Sequence, residues 1–115
     1  MSNETDVLQA IRLHLSFNPD ILLFRNNVGA LKDRDGRLIK YGLSPGSSDL
    51  IGFMRRSGVA IFLAIEVKAP GAYTDPKRLA AQTNFIRIIK EAGGIAGFAS
   101  SVQEAEEIIK GNTNG

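Results

Sequence analysis

Apolar residues along this chain fall into short runs punctuated by glycine, proline and charge, and the spacing within each run identifies an element. The longest run, V-A-I-F-L-A-I-E-V-K, spans Val59 to Lys68 and stays uncharged until it reaches Glu66 and Lys68. β-Branched and aromatic residues bounded by Gly58 and by Pro70-Gly71 predict a strand buried on both faces. Side chains alternate along a strand, so Glu66 and Lys68 share one face with Ala64 and Phe62, and Val67, Ile65, Leu63 and Ile61 line the other. A carboxylate at the end of a buried strand requires a partner. Lys68 alone meets that need, and so does a bound cation shared with a second carboxylate.

Towards the N-terminus, Val7, Leu8, Ile11 and Leu15 recur at helical spacing, predicting a helix from about Glu4 to Phe17 with Asn3 as its cap and Asp6 in its first turn. Glu4 lies four residues before Leu8 and seven before Ile11, which puts it at the inward end of the stripe; the alternative is a carboxylate that only decorates a frayed first turn. Asn18-Pro19-Asp20 ends the helix. Ile21 to Phe24 then reads as a short strand leading into Arg25-Asn26-Asn27. His14, the only histidine, lies beside the stripe and is assigned no role.

Val28 to Tyr41 has the form of a hairpin turning at Asp35-Gly36, with Lys32, Arg34, Arg37 and Lys40 on or near it. A loop of small residues, Gly42 to Ser48, delivers Asp49 to the start of the strand Leu50 to Met54. Arg55-Arg56-Ser57-Gly58 returns the chain into the Val59 strand, so the two strands are expected to be antiparallel, with Asp49 beside Glu66. Adjacent carboxylates repel unless a divalent cation sits between them; a capping aspartate and a salt-bridged glutamate is the other reading.

Asp75-Pro76 opens a second helix that ends at Gly93-Gly94, with Leu79, Phe85, Ile86, Ile88 and Ile89 as its apolar face. Gln82 falls on that face, either bonded to the acid and amine at the strand end or half exposed at the rim. Ile95 to Ala99 is a last strand, and Ser101 to Glu104 forms a capping box for a helix through Ile109. The order helix, strand, hairpin, strand, strand, helix, strand, helix is α/β with a mixed sheet. Residues 1–110 form the expected single domain, and 111–115 a polar tail.

Composition narrows the chemistry. The 115 residues include no cysteine, which removes disulfides, thiolate metal sites and a cysteine nucleophile, so any metal is held by oxygen. No apolar run approaches the roughly 20 residues that span a bilayer, and M-S-N-E-T-D lacks the basic start of a signal peptide; a cytoplasmic protein without membrane partners is expected. The net charge is only +2, but residues 25–56 hold seven cations, Arg25, Lys32, Arg34, Arg37, Lys40, Arg55 and Arg56, against Asp33, Asp35 and Asp49. Such a concentration suits a polyanion, or merely a solvated hairpin guarding its edges.

Taken together, G-S-S-D-L at Asp49, I-E-V-K at Glu66 to Lys68 and Q-T-N-F at Gln82 resemble the core of a PD-(D/E)XK, restriction-endonuclease-like nuclease. More closely, with Glu4 and F-R-N-N-V-G at Phe24 to Gly29, they resemble the VRR-NUC family of virus-type replication-repair nucleases. Ser48 departs from the pattern, standing where a proline often precedes the aspartate. The resemblance implies a restriction-endonuclease-like mixed β-sheet flanked by helices. It implies Mg²⁺ or Mn²⁺ held by Asp49, Glu66, the Val67 carbonyl and Glu4, directly or through water, and no organic cofactor. Lys68 would act on the attacking water and Gln82 would steady Lys68 and Glu66. Standalone members resemble Holliday-junction resolvases and work as homodimers on branched DNA. A metal-dependent, structure-selective DNA endonuclease of a bacterium or a phage-infected cell is therefore expected, with Arg25, Lys32, Arg34, Arg37 and Lys40 on the DNA. A nickase or a single-strand or flap nuclease of the same fold, or a non-catalytic DNA-binding protein, are the alternatives.

Overall fold

The computed structural model describes residues 3–111. Within them run α1 (Glu4–Leu15), β1 (Ile21–Arg25), β2 (Gly29–Lys32), β3 (Leu38–Tyr41), β4 (Leu50–Arg56), β5 (Val59–Val67), α2 (Pro76–Glu91), β6 (Ile95–Ala99) and α3 (Val102–Ile109). Four strands form one mixed sheet in the order β1-β4-β5-β6, and β2 with β3 forms a separate ribbon. β4 is antiparallel to β1 and β5, whereas β6 returns parallel to β5 through α2. A single α/β domain with helices on both faces of a mixed sheet results, as the sequence predicts. The polar tail lies, from residue 112 onward, outside the described residues.

α1 forms where expected because its stripe pays out into a core: Val7, Leu8, Ile11 and Leu15 are all buried, together with Ala105, Ile108 and Ile109 of α3, against Leu63, Ile65 and Val67. Each such aliphatic side chain contributes about 1.5–3 kcal/mol on burial, more than the helix gains from its cap. Asn3 caps it by accepting from the Asp6 N–H at 2.8 Å. The helix stops at Leu15 rather than Phe17, whose ring is exposed and finds no core.

On the other face, Ala64, Ala96 and Ile86 pack with Ile51, Phe85, Ile89 and Phe98. Two small alanines let α2 lie close to β5 and β6. Burial of β5 on both faces, expected for its whole length, holds only from Leu63 onward; Val59 and Phe62 are exposed and border a cavity shared with Ile89, Ala92 and Gly93 at the end of α2. α2 likewise buries a narrower face than its pattern suggests. Gln82 and Ile86 are buried, while Leu79 and Ile88 are exposed.

Both turns differ in detail from expectation. β4 continues through Arg55 and Arg56, leaving a two-residue turn in which Ser57 and Gly58 adopt φ of 52° and 78°, the positive pair that matches strand twist. In the β2–β3 ribbon only Gly36 has positive φ; Asp33 accepts through Oδ1 from the N–H groups of Asp35 and Arg37 at 2.9 and 2.8 Å. The Asp33 side chain therefore organises a wider loop than the tight Asp35-Gly36 turn the sequence suggested.

Candidate active site

The β4–β5 register pairs Leu50 with Ile65, so the next positions outward, Asp49 and Glu66, meet at the end of the sheet. Asp49 is fixed there by its Oδ2, which accepts from the Val67 N–H at 2.8 Å. Glu66 is only 3% exposed, and its Oε2 accepts from Gln82 Nε2 at 3.3 Å. Among the described residues neither carboxylate forms an ion pair. Burial, then the hydrogen bond and charge of Asp49, push Glu66 from the usual 4.5 up to about 9; Lys68 pulls the other way and Glu4 adds to the rise.

Lys68 does not pair with Glu66. Its Nζ donates to Gln82 Oε1 at 2.7 Å and to Thr74 Oγ1 at 2.8 Å, and lies 5.9 Å from the centre of the Phe98 ring. Gln82 thus spans the acid and the amine with one amide, accepting from Lys68 and donating to Glu66. Of its two readings in sequence, the bonded one is observed: the side chain is 3% exposed.

Glu4 is exposed at the start of α1, and among the described residues no group of three acidic or histidine side chains is close enough to hold one ion. Its direct participation as a third carboxylate ligand is not seen; it acts on Glu66 as a through-space charge. Asp49 and Glu66 bring two carboxylates to one point, hard-oxygen chemistry that suits Mg²⁺ or Mn²⁺, and the Val67 backbone meets them there through its N–H. The buried Glu66 and half-buried Asp49 share a proton in the metal-free protein, and a divalent cation could take that proton's place.

A cavity of about 420 Å³ opens onto this pair, lined by Arg25, Asn26, Ser47, Asp49, Glu66 and Arg78, with Gln82 at its base. Arg25, at the end of β1, therefore reaches the site. Lys32, Arg34 and Lys40 are on the separate ribbon, while Arg37 is held by Asp33 and Asp35 at 3.2 and 2.9 Å, which offsets its charge locally.

Arg78 and Thr74 join the site without a motif to mark them, and Asn26, part of F-R-N-N-V-G, takes a definite role. Asn26 donates through Nδ2 to Ser47 Oγ and the Ser48 carbonyl at 2.8 and 2.9 Å, accepts from the Leu43 N–H, and its own N–H reaches the Asp49 carbonyl at 2.7 Å. It holds the loop that delivers Asp49. Arg78 stands one helical turn before Gln82, a spacing from which its position was legible; Thr74, in a loop without periodicity, left no such signal. Gly46 lets the same loop lie against α2: its φ is +87°, and a Cβ there would sit 2.8 Å from the Ala81 backbone. Ser48 Oγ is fully buried with no hydrogen-bond partner among the described residues.

Compared with known families, residues 4–103 match the model described as VRR-NUC domain. No curated individual protein matches the chain.

Proposed function

The chain belongs to the VRR-NUC family, a nuclease family, since the match covers most of its length, and from that premise we propose that it is a metal-dependent, structure-selective endonuclease hydrolysing phosphodiester bonds in branched DNA. The observation that carries the reading is the buried Glu66 against Asp49, without a cationic side chain in ion-pair contact. Two carboxylates side by side are costly at a sheet end; in the metal-free protein a proton on Glu66 relieves that cost, and a divalent cation would do so in the proton's place.

Asp49, Glu66 and the Val67 carbonyl would hold Mg²⁺ or Mn²⁺, with Glu4 acting through water. An ion held by these residues would supply charge to offset the scissile phosphate and would lower the pKa of the water that attacks it. Lys68 does the rest from the protein side. Two of its three N–H donors are fixed by Thr74 and Gln82, which leaves the third for the attacking water or for charge developing on the phosphate. Gln82 keeps Lys68 and Glu66 in register. Arg25 and Arg78, on the cavity wall, would take the flanking phosphates, where contacts set position without reading sequence.

Holliday-junction-like substrates and a homodimer follow from the resemblance to standalone members, and the isolated β2–β3 ribbon supports them. It bears Lys32, Arg34 and Lys40 together with exposed Leu31, Leu38 and Ile39, a combination suited to DNA backbone or to a twin ribbon. A nickase or flap nuclease would use the same residues. The test is cleavage of labelled four-way junction, flap, fork and linear duplex in Mg²⁺, Mn²⁺ and EDTA, with Lys68→Ala alongside. Paired metal-dependent cuts in the junction, lost in the variant, are expected; cutting of every duplex would remove structure selectivity, and no cutting would leave a DNA-binding protein.

A further inference from the structure

Beside the acidic cavity lies a second one, which shares Lys68 and Thr74 with the proposed reaction and is otherwise not used by it. It holds about 350 Å³ beneath the loop joining β5 to α2, and Lys68 and Thr74 form part of its wall. Phe98 and Leu79 supply apolar surface, and Ser100 and Glu104 supply polar atoms. The two cavities meet at one hydrogen bond, because Gln82 lines the first and its Oε1 accepts from the Lys68 that lines the second.

Two features mark this cavity as more than a packing defect. Tyr73 is not itself in the cavity wall but stands between lining residues Ala72 and Thr74, and it is 83% exposed, more than any other large apolar side chain described. Such a ring beside the residue that fixes Lys68 contributes nothing to the core, whereas an exposed aromatic plane is what an unpaired base stacks on. Glu104 is the second feature. Its Oε1 accepts from both the N–H and the hydroxyl of Ser100 at 2.7 and 2.8 Å, one residue earlier than a standard capping box, while Oε2 has no partner among the described residues. A free carboxylate oxygen repels phosphate and accepts from an exocyclic amino group.

We propose that this cavity is a nucleobase subsite, which takes an unpaired base bearing an exocyclic amino group from the nucleotide next to the scissile phosphate. Tyr73 stacks on the base, Phe98 and Leu79 pack its apolar edge, and Glu104 Oε2 accepts from its amino group. The 5.9 Å between Lys68 Nζ and the Phe98 ring lies within the span of one nucleotide. The inference rests on the nuclease reading above and gives it a source of structure selectivity. A base at a branch leaves its stack at less cost than one inside a duplex, so a subsite that requires a free base favours branch points.

The test uses 2-aminopurine placed in turn at each nucleotide around the cleavage position of a four-way junction, with the protein in EDTA so that nothing is cut. Fluorescence should be quenched strongly at one position by the wild-type protein and by Tyr73→Phe, and lose most of that quench with Tyr73→Ala. In Mg²⁺, an abasic residue at that position should slow wild-type cleavage roughly tenfold relative to adenine or cytosine, the scale of one lost stack, and thymine, which keeps the stack and lacks the amino group, should slow it several-fold, the scale of one lost hydrogen bond to a charged acceptor. Glu104→Gln, whose oxygen stays on Ser100 and whose NH2 then faces the base as a donor, should abolish or reverse the preference for cytosine over thymine. No position-specific quench, or a quench that survives Tyr73→Ala, would overturn the subsite. A wild-type protein that never cuts but shows the Tyr73-dependent quench would retain the subsite and refute the nuclease reading instead.

Discussion

Glu66 is the residue whose environment most departs from that of a free side chain. With its folded pKa near 9 against an ordinary 4.5, the folded metal-free protein binds a proton that the unfolded chain has released. Stability from this group is therefore fully present below about pH 4.5 and is lost as pH rises towards 9. Urea unfolding in EDTA should show the wild type weakening between pH 5 and 9 more steeply than Glu66→Gln; parallel profiles would contradict the assignment. At Ser48 the expectation is opposite in sign to most substitutions. Its hydroxyl is buried without a partner, so Ser48→Ala should be neutral or stabilise by up to roughly 1 kcal/mol, read from the denaturation midpoint. Thr74→Val, which keeps shape and removes the acceptor from Lys68, should lower kcat several-fold while leaving the substrate KM nearly unchanged.

At the scale of elements, the carriers of the site are two loops held in unusual contact with helix and strand. Gly46 combines positive φ with an approach to the Ala81 backbone that leaves no room for a Cβ. Gly46→Ala should cost more than about 1 kcal/mol and reduce activity more than it reduces stability, because the displaced loop carries Asp49. Charge reversal on the ribbon, Lys32→Glu with Lys40→Glu, should weaken junction binding and flatten its salt dependence, measured by fluorescence anisotropy at several ionic strengths; Arg37→Gln should do less, since Asp33 and Asp35 already offset it. The elements themselves were legible because each has an unambiguous period: the α1 stripe, the Val59 run and the Asp75-Pro76 start all lie where the pattern put them. Strand pairing followed from one short turn, and with it the meeting of Asp49 and Glu66. What periodicity did not reveal was coverage. That Phe62, Leu79 and Ile88 are exposed depends on how far each helix extends over the sheet, a property of packing. Asn26 and Thr74 act through loop hydrogen bonds, for which a linear pattern carries no signal.

The molecule as a whole is a mixed sheet with one electrically uncomfortable end. Its hydrophobic layers would be complete without Asp49, Glu66 and Lys68, and no described helix is long and apolar enough to cross a membrane. The chain belongs to a nuclease family, and the acid pair and the clamped lysine lie together at this end of the sheet, where the proposed reading puts a divalent cation and phosphodiester hydrolysis. Thermal unfolding of the purified protein at pH 7 in EDTA, Mg²⁺ and Mn²⁺, with Asp49→Asn and Glu66→Gln alongside, tests the cation site most directly. Either metal should raise the melting temperature of the wild type by several degrees, through ligand linkage, and have no such effect on either variant. An equal shift in all three proteins, or none in the wild type at millimolar metal, would contradict it.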